Sequence, residues 1–139
     1  MADRGLLFFA GWKDRPAWVV CDATRLNAQV RRMDGRPWEE INAKAQTLPG
    51  SQAAWPVGIR EAGRFPVVLL CEGGPDLLAA HHFIHAQGRE HDAAAVAILG
   101  SSNRIPAEAL PLFAFKRVRI MVHADPHGKR AAETARVHG

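Results

Sequence analysis

The pattern of hydrophobic positions changes near residue 65. Beyond it, unbroken apolar runs occur at residues 67–70 and 93–99, and we predict a third strand at residues 117–123 (RVRIMVH). Short runs without alternation are typical of strands buried on both faces of a parallel sheet. Each of the three is followed by a segment that we predict to be helical, at about residues 75–87, 106–113 and 129–137. Three consecutive βα units predict an α/β fold, with a parallel sheet and helices on both of its faces.

Before residue 65 the apolar runs are short and are separated by turn residues. Residues 6–10 and 17–21 flank a polar turn and predict a first hairpin. Residues 27–32 and 36–40 flank Asp34-Gly35, a dipeptide favoured in tight turns, and predict a second hairpin. Residues 42–58 carry turn chemistry rather than a regular pattern.

The two patterns predict two parts of the chain. We expect a small, β-rich mixed subdomain over residues 1–64 and an α/β domain over residues 65–139. Residues 61–64 form a short joint between them. A length of 139 residues and an apolar content of 47% are enough for a globular core.

Charge and cysteine content narrow the possible classes of function. A formal charge of +4 is compatible with a polyanionic partner without requiring one. Cys21 and Cys71 are far apart and form no CxxC pair, so neither a zinc ribbon nor a disulfide framework is indicated. No secretion signal or membrane-length apolar segment is visible, so we expect a cytoplasmic protein without a membrane partner.

Two acidic residues flank the turn that follows the first apolar run. Glu72 ends the predicted strand, and Asp76 lies in the first turn of the predicted helix, where Pro75 is well tolerated. Loops that leave the carboxyl ends of parallel strands meet at one sheet edge. That edge would gather Glu72, Asp76, Gly100, Ser101, His123 and Asp125. Paired carboxylates suit Mg2+. The alternative is that the two acids only favour the helix N-terminus electrostatically.

These segments resemble the Toprim domain of DNA primases, topoisomerases and some nucleases. In that family an apolar strand ends in Glu, with Asp four residues later. A second strand ends in Gly, and a third ends in Asp-x-Asp with a nearby Gly. The corresponding segments here are residues 71–76 (CEGGPD), 98–101 (ILGS) and 123–128 (HADPHG).

The preceding residues favour the primase branch of the family. Residues 29–59 resemble the segment before the Toprim domain in primases, which has a hairpin with glycine and arginine and a stretch with lysine. The resemblance implies a metal-dependent nucleotidyltransferase that makes RNA primers, typical of phage or mobile-element replication. Its implied partners are single-stranded DNA and nucleoside triphosphates, and it admits a replicative helicase as a further partner.

The resemblance also implies roles for individual residues. Glu72, Asp76 and Asp125 would be catalytic, and with His123 they would hold Mg2+ or Mn2+. The residues implied to contact nucleic acid or nucleotide are Arg31, Arg32, Lys44, Gly100, Ser101 and Lys129. For each basic residue the alternative is a solvated surface position, and for Ser101 it is a plain loop.

The chain departs from the family pattern in two ways. His123 replaces the first Asp of the Asp-x-Asp motif, and a hard cation prefers oxygen to imidazole nitrogen. The chain also ends before a fourth strand, and it lacks the zinc module of full primases, so we expect a fragment or a short remnant. A degenerate nucleic-acid-binding module is therefore one alternative. A Toprim nuclease or topoisomerase is another, although the chain contains no nucleophilic tyrosine.

All four tryptophans lie in the β-rich part of the chain, at positions 12, 18, 38 and 55. Large aromatic side chains stabilise small cores, and we expect core packing for these residues. Stacking of one of them on an unpaired base is the alternative.

Overall fold

The computed structural model describes residues 6–100 and 103–121 of the chain. These residues form an antiparallel sheet of four strands, followed by a parallel sheet of three. The strands are β1 (Leu7–Trp12), β2 (Arg15–Cys21), β3 (Ala28–Arg32), β4 (Ala45–Thr47), β5 (Val67–Glu72), β6 (Ala93–Ile98) and β7 (Arg117–Ile120). The mixed α/β class is therefore confirmed, while a domain boundary at residue 64 stays a prediction.

The first predicted hairpin is confirmed. β1 and β2 pair antiparallel, with Trp12 opposite Arg15. Lys13 and Asp14 connect the strands with φ angles of 49° and 60°. Two positive φ angles are typical of the tight turns that match the twist of paired strands.

The second predicted hairpin is wrong. Residues 36–40 form no strand, and β3 pairs instead with β2 on one side and with β4 on the other. Pro37 has no N–H to contribute to a ladder. Trp38 turns inward, its indole nitrogen donating to the carbonyl of Val30 at 3.1 Å. Burial of this ring holds residues 36–43 in a loop, and β4 also shows that residues 42–58 are not wholly irregular.

The antiparallel sheet has two differently used faces. Ala17, Val30 and Trp38 form a small core on one face. Val20 lies on the other face and packs with Leu77 of the helix that follows β5. The side of the sheet that carries Val20 therefore faces the α/β part of the chain.

The three predicted parallel strands are confirmed, with β5 in the centre of the order β6-β5-β7. One helix, α1 (Gly74–Ala86), covers one face of this sheet through Leu77, Ala80 and Ile84. No helix in the described ranges is long and apolar enough to cross a membrane. On the other face, Val68 and Leu70 pack against irregular segments that include Ile59 and Phe113.

The predicted second helix, at residues 106–113, is wrong. That segment consists of turns and a single 3-10 helix, Leu110–Phe113. Pro106 is tolerated at a first turn, but Pro111 removes a second N–H five residues later, and its ring obstructs an α-helix. The predicted third helix, at residues 129–137, lies outside the described residues.

The link between the two sheets is fixed by backbone contacts. Val57 and Ala97 exchange hydrogen bonds of 2.9 and 3.0 Å as an isolated bridge onto β6. The predicted joint is a 3-10 helix, Glu61–Arg64. The ammonium of Lys116 donates to the carbonyls of Ala62, Gly63 and Phe65 at 2.7–2.9 Å. These contacts tie the link to β6 and to the residue that precedes β7.

Gly58 supports a testable prediction about this link. Gly58→Ala should lower the free energy of unfolding by about 1–3 kcal/mol, because a strained backbone conformation at a non-glycine residue costs that much. Gly58 has a φ of +95°, and an added Cβ would lie 2.9 Å from the carbonyl oxygen of Ala95. Urea unfolding measures the change. Gly63→Ala is the control, since a Cβ there meets nothing within 4 Å. Equal midpoints for the two variants would contradict the prediction.

Candidate functional site

The candidate site begins where β5 ends. Glu72 is the last residue of the strand, and α1 starts two residues later at Gly74. Gly73 makes the sharp change of direction with a φ of 84°, and its N–H donates to the carbonyl of Ile98 at 3.0 Å. The turn is thereby anchored to β6. It leaves Glu72 and Asp76 on either side of the helix start.

The Glu72 side chain is half-buried, and one of its carboxylate oxygens has no hydrogen-bond partner among the described residues. That oxygen, Oε2, is enclosed. An unsatisfied buried carboxylate oxygen is costly unless a cation or a donor completes it. Asp76, four residues later in the first turn of α1, provides a second carboxylate. Both are hard oxygen donors, so the two residues fit a hard divalent cation.

Two carboxylates alone do not complete a metal site. Within residues 6–100 and 103–121, no group of three or more His, Cys, Asp or Glu side chains is arranged to hold a metal. The predicted third and fourth ligands, Asp125 and His123, lie outside the described residues. The predicted metal set is therefore described only for Glu72 and Asp76.

Arg31 of β3 lies close enough to Asp76 for the two charges to interact. Burial lowers the pKa of its guanidinium, and the negative charge of Asp76 opposes that shift. The Nε of Arg31 is enclosed and has no hydrogen-bond partner among the described residues. A guanidinium stays charged even when partly buried. It therefore brings a fixed positive charge, with an unused donor, to the acidic edge of the parallel sheet.

The contact that brings the two sheets together is made by Trp18 and Gly74. A Cβ added at Gly74 would lie 3.3 Å from Cη2 of Trp18 and 3.4 Å from a methyl carbon of Val20. The absence of a side chain at Gly74 therefore lets β2 approach the first turn of α1. Trp18 is opposite Arg31 in the sheet register, so this close approach also sets the position of Arg31. The sequence offered no signal for this pairing.

The neighbouring Arg32 is not brought to the site. Strand alternation turns it to the opposite face of the sheet, where it is 4% exposed. Its guanidinium donates to both carboxylate oxygens of Asp34 and to the carbonyl of Pro37. The hydrogen bond from Arg32 is the main cause that lowers the pKa of Asp34. Arg32 therefore closes the turn after β3.

The remaining predicted contact residues fall into two groups. Lys44 is exposed beside β4, next to Ala45, which is opposite Arg31 in the register. Gly100 is half-buried in the loop that follows β6 and has a φ of 137°. Ser101 and Lys129 lie outside the described residues, so their predicted roles stay predictions.

Asn103 is a positioning residue that sequence reasoning missed. Its Nδ2 donates to the carbonyls of Leu99 and Ala53, each at 3.0 Å. A Cβ at Gly100 would lie 2.9 Å from this amide nitrogen. Asn103 thus fixes the loop after β6 against the linking segment. An Asn shortly after a strand-ending Gly is the signal that could have suggested this role.

Cys71 precedes Glu72 but takes no part in the site's chemistry. It is 3% exposed, and its thiol donates to the carbonyl of Val96 at 3.3 Å. Burial, with a contribution from the charge of Asp76, raises its pKa to about 12. A thiol that stays protonated is a poor metal ligand and a poor nucleophile. Cys71 is therefore a buried, free thiol within the core.

Comparison with solved structures relates this fold to a phage primase. The chain is similar to a chain in the bacteriophage T7 structure of the lagging-strand DNA polymerase interacting with primase domains of two gp4 subunits bound to an RNA/DNA hybrid and dTTP. The TM-score to that chain, a gp4 primase domain, is 0.64 at 17% sequence identity. The match covers 97% of this chain and 66% of that chain.

This similarity shows the fold and leaves the chemistry open. The protein has a primase-like fold, and it spans less than two thirds of the length of the T7 chain it matches. No protein-family profile matches the chain, and no curated protein matches it in sequence. We therefore infer function from the side chains at the end of β5.

The role of Asn103 can be tested by Asn103→Asp. The change replaces a donor with a carboxylate oxygen that faces two carbonyl oxygens, and we expect a loss of about 1–3 kcal/mol. Asn42→Asp is a matched control, because Asn42 is exposed, and aspartate tolerates its left-handed φ of 49°. Thermal and urea unfolding measure both variants. An equal effect of the two substitutions would show that the Asn103 amide does not hold the loop.

Proposed function

We propose that this protein is the Toprim-containing catalytic part of a DNA primase. In this proposal it makes RNA primers on single-stranded DNA in a metal-dependent nucleotidyl transfer. The main observation behind the proposal is the enclosed Oε2 of Glu72, which has no hydrogen-bond partner among the described residues and lies at the carboxyl end of the central parallel strand. The primase-like fold supports it, because ligand sites of open α/β sheets lie at this edge.

The donor set defines what each residue does in this proposal. Glu72 would hold Mg2+ or Mn2+ through Oε2, and Asp76 and Asp125 would supply further carboxylate oxygens. When bound, the metal neutralises charge on the transferred phosphoryl group and helps to align the attacking hydroxyl. Asp76 also interacts with Arg31, so it couples the metal side of the site to the basic side.

Arg31 is the phosphate-binding residue of the proposed site. Its half-buried guanidinium has an Nε without a hydrogen-bond partner among the described residues, and it interacts with the charge of Asp76 across the contact between the sheets. A guanidinium fork matches the geometry of phosphate oxygens and binds them more strongly where water is partly excluded. An incoming triphosphate between Arg31 and the metal would meet positive charge on both sides. Lys44, exposed near by, adds attraction for a nucleic-acid backbone.

Calorimetric titration with Mg2+ and Mn2+ tests the metal site. We expect saturable binding by the native protein and a loss of affinity of about tenfold or more in Glu72→Gln, because even residues that only orient metal ligands cost that much. Glu108→Gln, at an exposed position away from the site, is the control and should bind like the native protein. The rate of primer synthesis on single-stranded DNA with nucleoside triphosphates should be reduced in Glu72→Gln and unchanged in Glu108→Gln. No binding of either metal by the native protein would refute the proposed function.

A second candidate function is a nucleic-acid-binding module without catalysis, which the histidine at position 123 favours. His123→Asp distinguishes the two. For a weakened enzyme we expect the substitution to raise the affinity for Mg2+ and the rate of primer synthesis, because it supplies one more hard oxygen ligand and one more negative charge. The same calorimetric and synthesis assays measure this. Unchanged affinity together with unchanged synthesis would favour the binding module.

A further inference from the structure

An apolar pocket lies on the same side of the antiparallel sheet as the candidate site. It measures about 540 Å3, and its lining includes Phe9, Gly11, Asp14, Pro16 and Met33. Phe9 is opposite Trp18, which in turn is opposite Arg31. These three side chains therefore form one row across β1, β2 and β3, on the face that contacts the start of α1.

The pocket is lined by the next row of residues on the same face of the antiparallel sheet. Side chains two positions apart along a strand share a face, so Gly11 lies beside Phe9. Gly11 is opposite Pro16, and the N–H of Met33 donates to the carbonyl of Pro16 at 3.0 Å. The row of Gly11, Pro16 and Met33 thus continues the surface that leads away from the acidic site.

The pocket has apolar walls and a floor without a side chain. Phe9 is 68% exposed and Met33 is 53% exposed, which is unusual for large apolar residues. A Cβ at Gly11 would meet nothing within 4 Å, and its φ lies outside the left-handed region, so neither packing nor backbone conformation requires glycine there. A glycine within a strand commonly marks a place where a ligand approaches the backbone. The open space above Gly11 is such a place.

We propose that this pocket, lined by Phe9, Gly11, Pro16 and Met33, binds an unpaired base of single-stranded nucleic acid. In that state the base stacks on the exposed ring of Phe9 and contacts the Met33 side chain, while its phosphate chain runs toward Arg31. Stacking on aromatic side chains is how single strands are held without sequence preference. The ligand class depends on the proposed function, but the pocket is distinct from the metal site.

Size and charge favour a base over a protein partner. A stable protein interface buries about 800 Å2 on each partner, far more than two exposed side chains around a glycine floor can provide. The pocket opens along the sheet face that carries Arg31, and the chain has a net charge of +4. Asp14 is the one acidic residue in the lining, at the far end of the hairpin turn. The row therefore runs from an apolar pocket to a guanidinium.

The test compares the binding of two ten-unit probes by fluorescence anisotropy at one fixed salt concentration. One probe is oligothymidylate, and the other is an abasic chain of the same length and charge. Phe9→Ala should weaken binding of oligothymidylate about 5- to 100-fold and leave abasic binding unchanged, since only the stacked base is lost. Phe9→Trp should retain the affinity. Phe83→Ala removes an exposed ring on α1 and should change neither affinity.

Gly11→Val provides a second variant in which folding is not in question. The new side chain enters open space and favours a strand, so the unfolding temperature should stay equal or rise. The same side chain fills the pocket and should weaken oligothymidylate binding at least fivefold. A gain in stability with a loss of base-dependent affinity is a result that misfolding cannot produce.

Several outcomes would overturn the inference. Unchanged oligothymidylate affinity in Phe9→Ala, or an equal loss for both probes, would show that no base occupies the pocket. A shift from dimer to monomer in sedimentation of Phe9→Ala would assign the pocket to self-association instead. Failure of the native protein to distinguish the probes would also refute it. None of these results bears on metal binding by Glu72, so the proposed function succeeds or fails separately in the calorimetric titration.

Discussion

The close approach of Trp18 to Gly74 is the contact on which the arrangement of the site depends. With no side chain at Gly74, the second strand of the antiparallel sheet lies directly against the first turn of α1, at a distance that any larger residue would increase. The strand register then carries this constraint sideways to Arg31. Two sheets of different type are thereby joined at the point where one presents carboxylates and the other a guanidinium. Displacement of Trp18 would separate those charges.

Charged side chains lie beside the apolar contact of Trp18 with Gly74. Arg31 loses hydration there, which lowers its pKa, and the charge of Asp76 compensates in part. Asp76 faces the guanidinium of Arg31, and the enclosed Oε2 of Glu72 has no hydrogen-bond partner among the described residues. Such an arrangement is poorly satisfied by protein groups alone. Its completion by a cation, and then by an anionic substrate, is consistent with the electrostatics of each residue.

Local patterns in the sequence were sufficient for elements whose partners lie close in the chain. The apolar run at residues 67–70 identified the central strand, and the acids after it indicated where the candidate site begins. Local patterns failed where distant contacts decide the structure. The inward turn of Trp38 removes a predicted strand, and the bridge from Val57 to Ala97 joins segments forty residues apart. The contact between Trp18 and Gly74 also has no local signal, so Arg31 could be proposed but not placed.

The different fates of Arg31 and Arg32 show how strand alternation distributes function in this fold. The two residues are adjacent in sequence, and their chemistry is identical, so composition cannot distinguish them. β3 is a regular strand that pairs on both sides. Because successive side chains of a strand point to opposite faces of the sheet, Arg31 and Arg32 lie on different faces. One arginine closes a turn with Asp34, while the other faces Asp76. A register shift of one residue would exchange their roles, because it would bury the site-facing charge and expose the structural one. The core around Val30 and Trp38 opposes that shift, so the packing of one face determines which charge reaches the site on the other.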